Sequence, residues 1–122
     1  MAIRNEFGYS TAVVEIGAWN MNSSVGGDAT ITVATGLSAA SASSLRVISA
    51  VIIIDAPSTR IWDLRSINTA TGLQNGSVQY VDLESVALTL VATVGGNFDS
   101  TSFDSIAQNR GYVTFEYIPV GI

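Results

Sequence analysis

Residues 45–55 read Leu-Arg-Val-Ile-Ser-Ala-Val-Ile-Ile-Ile-Asp, and from Ala50 to Ile54 both alternating faces are apolar. β-Branched side chains of this kind pack well on a pleated sheet and crowd the turns of a helix. A half-buried strand carries one polar face, so this run predicts a strand covered on both sides. In a chain of 122 residues, the second cover is expected from another copy of the same chain.

Period-two alternation continues in both directions from this run, and helical periodicity is nearly absent. Toward the N-terminus, residues 12–20 place Ala12, Val14, Ile16 and Ala18 on one face and Val13, Glu15, Gly17 and Trp19 on the other. Residues 29–33 alternate Ala29, Ile31 and Val33 against Thr30 and Thr32. Toward the C-terminus, strands are predicted over 60–66, 77–83, 85–94 and 112–118. In 85–94 Val86, Leu88, Leu90 and Ala92 point inward, and in the last strand Val113, Phe115 and Tyr117 share a face. The punctuation agrees. Turn clusters occupy 22–28 and 55–58, the latter set by Pro57. The Ser/Ala-rich stretch 36–44 suits a crossing loop or a short helical turn. Asn75-Gly76 signals a hairpin turn, and Gly95-Gly96-Asn97 opens a polar loop that runs to Asn109. The expectation is one domain over residues 1–122, all-β, a compact antiparallel β-sandwich of six or seven strands.

Composition narrows the function. Charged residues make up 12% of the chain, about half the usual share, and all five cations are arginines. A free-standing monomer ordinarily keeps itself dissolved with lysine and glutamate, so this surface is expected to be spent on contacts. A net charge of −5 and five scattered arginines disfavour nucleic acid and anionic membrane as partners. The longest apolar run is too short to span a bilayer, and residues 1–8 lack the apolar centre of a signal peptide.

Histidine and cysteine are both absent, which removes the usual general base, the thiolate nucleophile and most transition-metal ligands. No pair of carboxylates sits at a spacing that defines a hydrolase. Asn97, Asp99 and Asp104 offer hard oxygens from one loop, but their spacing does not match an EF-hand, and such residues ordinarily cap turns. No metal, no cofactor and no catalytic residue is therefore expected. Trp62 and Tyr80 are the aromatic candidates for stacking on a ligand. With Asn97, Asp99 and Asp104 they form the candidate ligand or partner-binding set. Trp62 is read first as a packing residue.

The stretches Gly95-Gly96-Asn97-Phe98-Asp99, Phe103-Asp104 and Asn109-Arg110-Gly111-Tyr112-Val113-Thr114-Phe115-Glu116-Tyr117 together resemble the end of small virion proteins of tailed bacteriophages. Gly17-Ala18-Trp19-Asn20-Met21, the Thr35-Gly36-Leu37 turn and the run from Val47 to Asp55 resemble the same family's opening. The resemblance spans the chain from about Gly17 to Tyr117. It implies a non-enzymatic structural protein located in the virion, as a fibre, tail or capsid-decoration module with other virion proteins as partners. The overall pattern is also similar to H-type lectins, whose compact sandwiches form trimers and bind sugars with edge loops. No position here matches a lectin sugar site, so a host surface glycan enters only as the alternative partner. On this likeness a homotrimer is expected, with Trp19, Val51, Ile52, Ile53, Ile54 and Tyr112 as candidate subunit-interface residues.

Overall fold

Alternation turns into strands almost where it is found. The computed structural model describes residues 8–54, 60–107 and 109–120; the turn at 55–58 and the side chain of Tyr80 lie outside the described residues. Among the described residues seven strands form: β1 Ser10–Glu15, β2 Thr30–Ala34, β3 Arg46–Ile54, β4 Arg60–Asp63, β5 Gly76–Asp82, β6 Ala87–Ala92 and β7 Arg110–Tyr117. They make two antiparallel sheets, a four-stranded one in the order β1-β7-β3-β4 and a three-stranded one in the order β2-β6-β5. Inside the Ser/Ala-rich stretch the chain makes a single turn of α-helix, Ala39–Ala42.

The two sheets close over one apolar core. Ala50, Ile52 and Ile54 of β3 and Val113 and Phe115 of β7 meet Leu88, Leu90 and Ala92 of β6 there. The face predicted for residues 85–94 thus holds from Leu88 onward, while Val86 falls in the β5–β6 turn at φ 53°, unfavourable for a β-branched residue. Two hydrogen bonds hold it there, because its carbonyl accepts from the main-chain N–H and the hydroxyl of buried Thr35.

The long central strand is less uniform than its sequence suggests. Between Val47 and Ser49 the register against β7 shifts, leaving Ile48 as the extra residue of a bulge. The Arg65 guanidinium donates to the Ile48 carbonyl at 3.0 Å.

Near the N-terminus the predicted alternation changes phase. β1 stops at Glu15, and Gly17 at φ +87° turns the chain through a conformation that side chains resist. Trp19 consequently enters the core, although counting by twos from Val13 places it on the opposite face. Its indole N–H donates to the Asp28 carbonyl at 2.8 Å.

The Asn75-Gly76 expectation also needs correction. The reversal between β4 and β5 is made at Asn68–Gly72, where the Thr71 and Gly72 N–H groups both donate to the Asn68 carbonyl. Asn75 is instead a buried junction. Its amide nitrogen donates to the Ser66 hydroxyl at 2.7 Å and its amide oxygen accepts from the Asn97 N–H at 3.0 Å.

The C-terminal segment is fastened by serines. The Ile118 N–H donates to the Ser44 hydroxyl at 2.7 Å and the Val120 N–H to the Ser41 hydroxyl at 2.9 Å. The Ser/Ala-rich stretch thus supplies hydroxyl acceptors where the ladder has ended.

Candidate functional site

Two regions of the sandwich gather the residues singled out in the sequence. The first is the outer face of the four-stranded sheet. Registration aligns Glu15, Tyr112, Val51 and Asp63 across β1, β7, β3 and β4, and sets Ile53 beside Ile61 and Val13 beside Thr114. With Ala50, Ile52 and Ile54 turned into the core, alternation directs Val51 and Ile53 outward. The result is an apolar strip across all four strands. Ile61 is 72% exposed, Val13 59% and Tyr112 42%, while Val51 and Ile53 are half-buried among them. Charge stands at Glu15 and Asp63 on the edge strands, at the Arg46–Glu116 cross-strand ion pair, and at Arg110 of β7, which pairs with Ile53.

Among the described residues, the two-faced run is therefore covered on one face only. Among the described residues no layer lies over the other. Of the candidate interface residues, Val51, Ile53 and Tyr112 stand on the open face. Trp19, Ile52 and Ile54 belong to the chain's own core, and the interface expectation is corrected for those three. Sequence alternation marks which residues share a face, but not which face the partner sheet takes. Val13 and Ile61 complete the strip and were not singled out from sequence. Val13 lies between Ala12 and Val14, and Ile61 beside Trp62, so composition does not tell which apolar residue of each short strand faces out.

The second region is the loop between β6 and β7. Its composition is polar, yet Phe98 and Phe103 are both buried. Their rings meet edge to face at 5.0 Å between centroids and 87° between planes. Trp62 reaches in from β4 and packs its ring against both, 6.0 Å from Phe98 and 5.8 Å from Phe103. These T-shaped contacts place positive ring edges on negative ring faces. The expected packing role for Trp62 is thus what its geometry displays.

Asp99 follows Phe98 and ties the loop to the Ser23–Val25 3₁₀ turn. One carboxylate oxygen accepts from the Ser23 N–H at 2.8 Å and the Ser23 hydroxyl at 2.9 Å, and the other from the Gly95 N–H at 2.9 Å. Asn97 gives its N–H to Asn75, and Asp104, exposed, closes the Thr101–Phe103 3₁₀ turn. The structure brings Trp62, Asn97 and Asp99 to one end of the sandwich as parts of its framework. Among the described residues, no three acidic side chains converge as a metal site would require.

The Asp99 bonds have a pH signature. The Gly95 N–H and the Ser23 hydroxyl stabilise the charged form and hold this carboxyl below its ordinary value. A carboxyl whose pKa is lower in the folded chain adds stability in full above its unfolded value of about 3.9. The contribution drains away as pH falls through the folded value. Asp82, held down by the Glu84 N–H and the Ser85 hydroxyl, acts with the same sign. Asp99→Asn should therefore flatten the acid limb of stability against pH below about 4 without abolishing it. Urea unfolding at a series of acid pH values checks this, and an unchanged limb would count against the latch.

No family model, no curated protein and no solved structure matches this chain.

Proposed function

We propose that the chain is a non-enzymatic structural subunit of a bacteriophage virion. It is a fibre, tail or capsid-decoration module that assembles as a homotrimer through the outer face of its four-stranded sheet. The observation that carries this reading is the apolar strip of Val13, Val51, Ile53, Ile61 and Tyr112, open on a chain with no lysine and few charges. Contiguous exposed apolar surface on a small sandwich lowers free energy by leaving water, and association is the simplest way to do so. The polar margins supply registry rather than affinity. The virion setting itself rests on the sequence resemblance. The alternative, a lectin-like module for a host glycan, has less support, because the ring of its best platform, Trp62, is engaged with Phe98 and Phe103.

Light scattering of the purified protein in dilute solution tests the reading. The expected mass is three times the 12.7 kDa of the chain. Val13→Lys with Ile61→Lys should dissociate the assembly while leaving strand content unchanged, since both residues are exposed within the chain. A loss of about 2 kcal/mol of association energy, roughly 30-fold in affinity, is the scale for residues central to an interface. A wild-type monomer, or a double variant of wild-type mass, would sink the outer-face reading.

A further inference from the structure

The three-stranded sheet has an edge, β2, with which no described strand pairs on its outer side. β2 lies outermost beside β6. The Ala92 N–H donates to the Ala29 carbonyl at 2.7 Å and the Thr35 N–H to the Val86 carbonyl at 3.0 Å. Bonded pairs alternate along an antiparallel ladder, so Ile31 and Val33 spend their main-chain groups on β6. The N–H and C=O groups of Thr30, Thr32 and Ala34 point away from the sheet, and the side chains of all three are exposed. No hydrogen bond from another described residue reaches those groups.

The other edges carry devices that discourage pairing. β4 has only four residues, with Arg60 at one end and Asp63 at the other. β5 is interrupted by a register shift between Val78 and Tyr80 and ends on Asp82. β1 ends on Glu15. From Ala29 to Thr35 the chain has no charge, no proline and no register shift. An uncharged, regular edge is a template for another strand.

We infer that β2 pairs with β2 of a second copy, antiparallel, about a two-fold axis at Thr32. In that register Thr30 lies opposite Ala34 of the second copy, Thr32 opposite Thr32, and Ala34 opposite Thr30. Every residue in these pairs directs its main-chain groups outward, so the ladder closes on both chains without a shift. The symmetry is isologous, with the same patch used twice. Asp28, the nearest charge, falls opposite Gly36 of the second copy rather than opposite its own counterpart. The Thr32 pair sets two β-branched hydroxyl side chains side by side, a favourable cross-strand neighbour. The two copies then share one sheet in the order β5-β6-β2-β2-β6-β5. This contact belongs to the opposite sheet from the outer apolar face, so either can fail without the other.

Charge placed on the edge tests the pairing, in the Val13→Lys/Ile61→Lys background that removes outer-face contacts. With the native edge, light scattering should give a concentration-dependent rise from one chain mass to two. Thr30→Lys with Ala34→Lys sets like charges opposite each other across the axis, and so does Thr30→Glu with Ala34→Glu. Each pair alone should weaken association about tenfold or more, and an equimolar mixture of the two should restore it. Hydrogen exchange of the Thr30, Thr32 and Ala34 amides should slow as protein concentration rises. A native edge that stays monomeric at about millimolar concentration, where even weak pairs form, would overturn the inference. So would a mixture that fails to regain mass, or amide protection independent of concentration, which would mean that the chain covers its own edge.

Discussion

Gly111→Ala is expected to cost more than about 4 kcal/mol, a large share of a small domain's whole stability. A Cβ built on Gly111 would lie 1.8 Å from the carbonyl oxygen of Val51, 2.8 Å from its carbonyl carbon and 3.0 Å from the Cα of Ile52. All three are main-chain atoms of β3, the strand that pairs with β7 at the centre of the four-stranded sheet. A methyl has no rotamer to escape into, so the strands must part. Parting them strains the ladder around Ile52 and Gly111 and loosens Val113 and Phe115 from the core. The comparison is Gly17→Ala, where nothing lies within 4 Å of the added carbon but φ is +87°. That variant carries backbone strain alone, about 1–2 kcal/mol. Urea unfolding of the two variants separates collision from strain. A loss at Gly111 no larger than at Gly17 would mean that β3 and β7 sit farther apart than described.

Where the backbone is regular, alternation in the sequence is read directly as fold. Leu88, Leu90 and Ala92 face the core as counting by twos predicts, because no break interrupts β6. Trp19 defeats the same counting, since the positive φ of Gly17 resets the phase, and a glycine in sequence does not announce which conformation it takes. Asn75-Gly76 fails for a related reason. The dipeptide marks tolerance of tight turns, but Asn75 also carries an amide that suits a buried junction. Its partners Ser66 and Asn97 lie 9 and 22 positions away, and no local window contains them. Strand order is illegible on the same grounds, because β7 sits between β1 and β3 through contacts remote in sequence. The open face was half legible. The apolar Val51 and Ile53 announced a second face, but Val13 and Ile61 join it only once registration brings four strands side by side. Within the polar loop the one signal was the repeat Phe98-Asp99-Ser100 and Phe103-Asp104-Ser105. It marks two apolar anchors where composition alone predicts none.

Phe98→Ala should remove about 3–5 kcal/mol, the usual range for deleting a fully enclosed aromatic ring. Phe98 is 0% exposed and meets Phe103 and Trp62 through ring edges, contacts that add about 0.5–1.5 kcal/mol beyond burial. The cost depends on whether the surroundings can collapse into the space. Here polar bonds hold the loop on both sides of the ring: Asn97 to Asn75 before it, Asp99 to Ser23 and Gly95 after it. Those bonds keep the loop in place and the cavity open, which puts the expected loss in the upper half of the range. Phe98→Leu, which keeps most of the apolar volume and loses the ring edges, should cost about 1–1.5 kcal/mol. Adding Asp99→Asn to Phe98→Ala tests the mechanism. With the latch weakened, the loop can settle into the cavity, so the double variant should lose less than the sum of its parts. Strict additivity would mean that the carboxylate does not hold the cavity open, and a loss below about 1 kcal/mol for Phe98→Ala alone would remove the loop from the core.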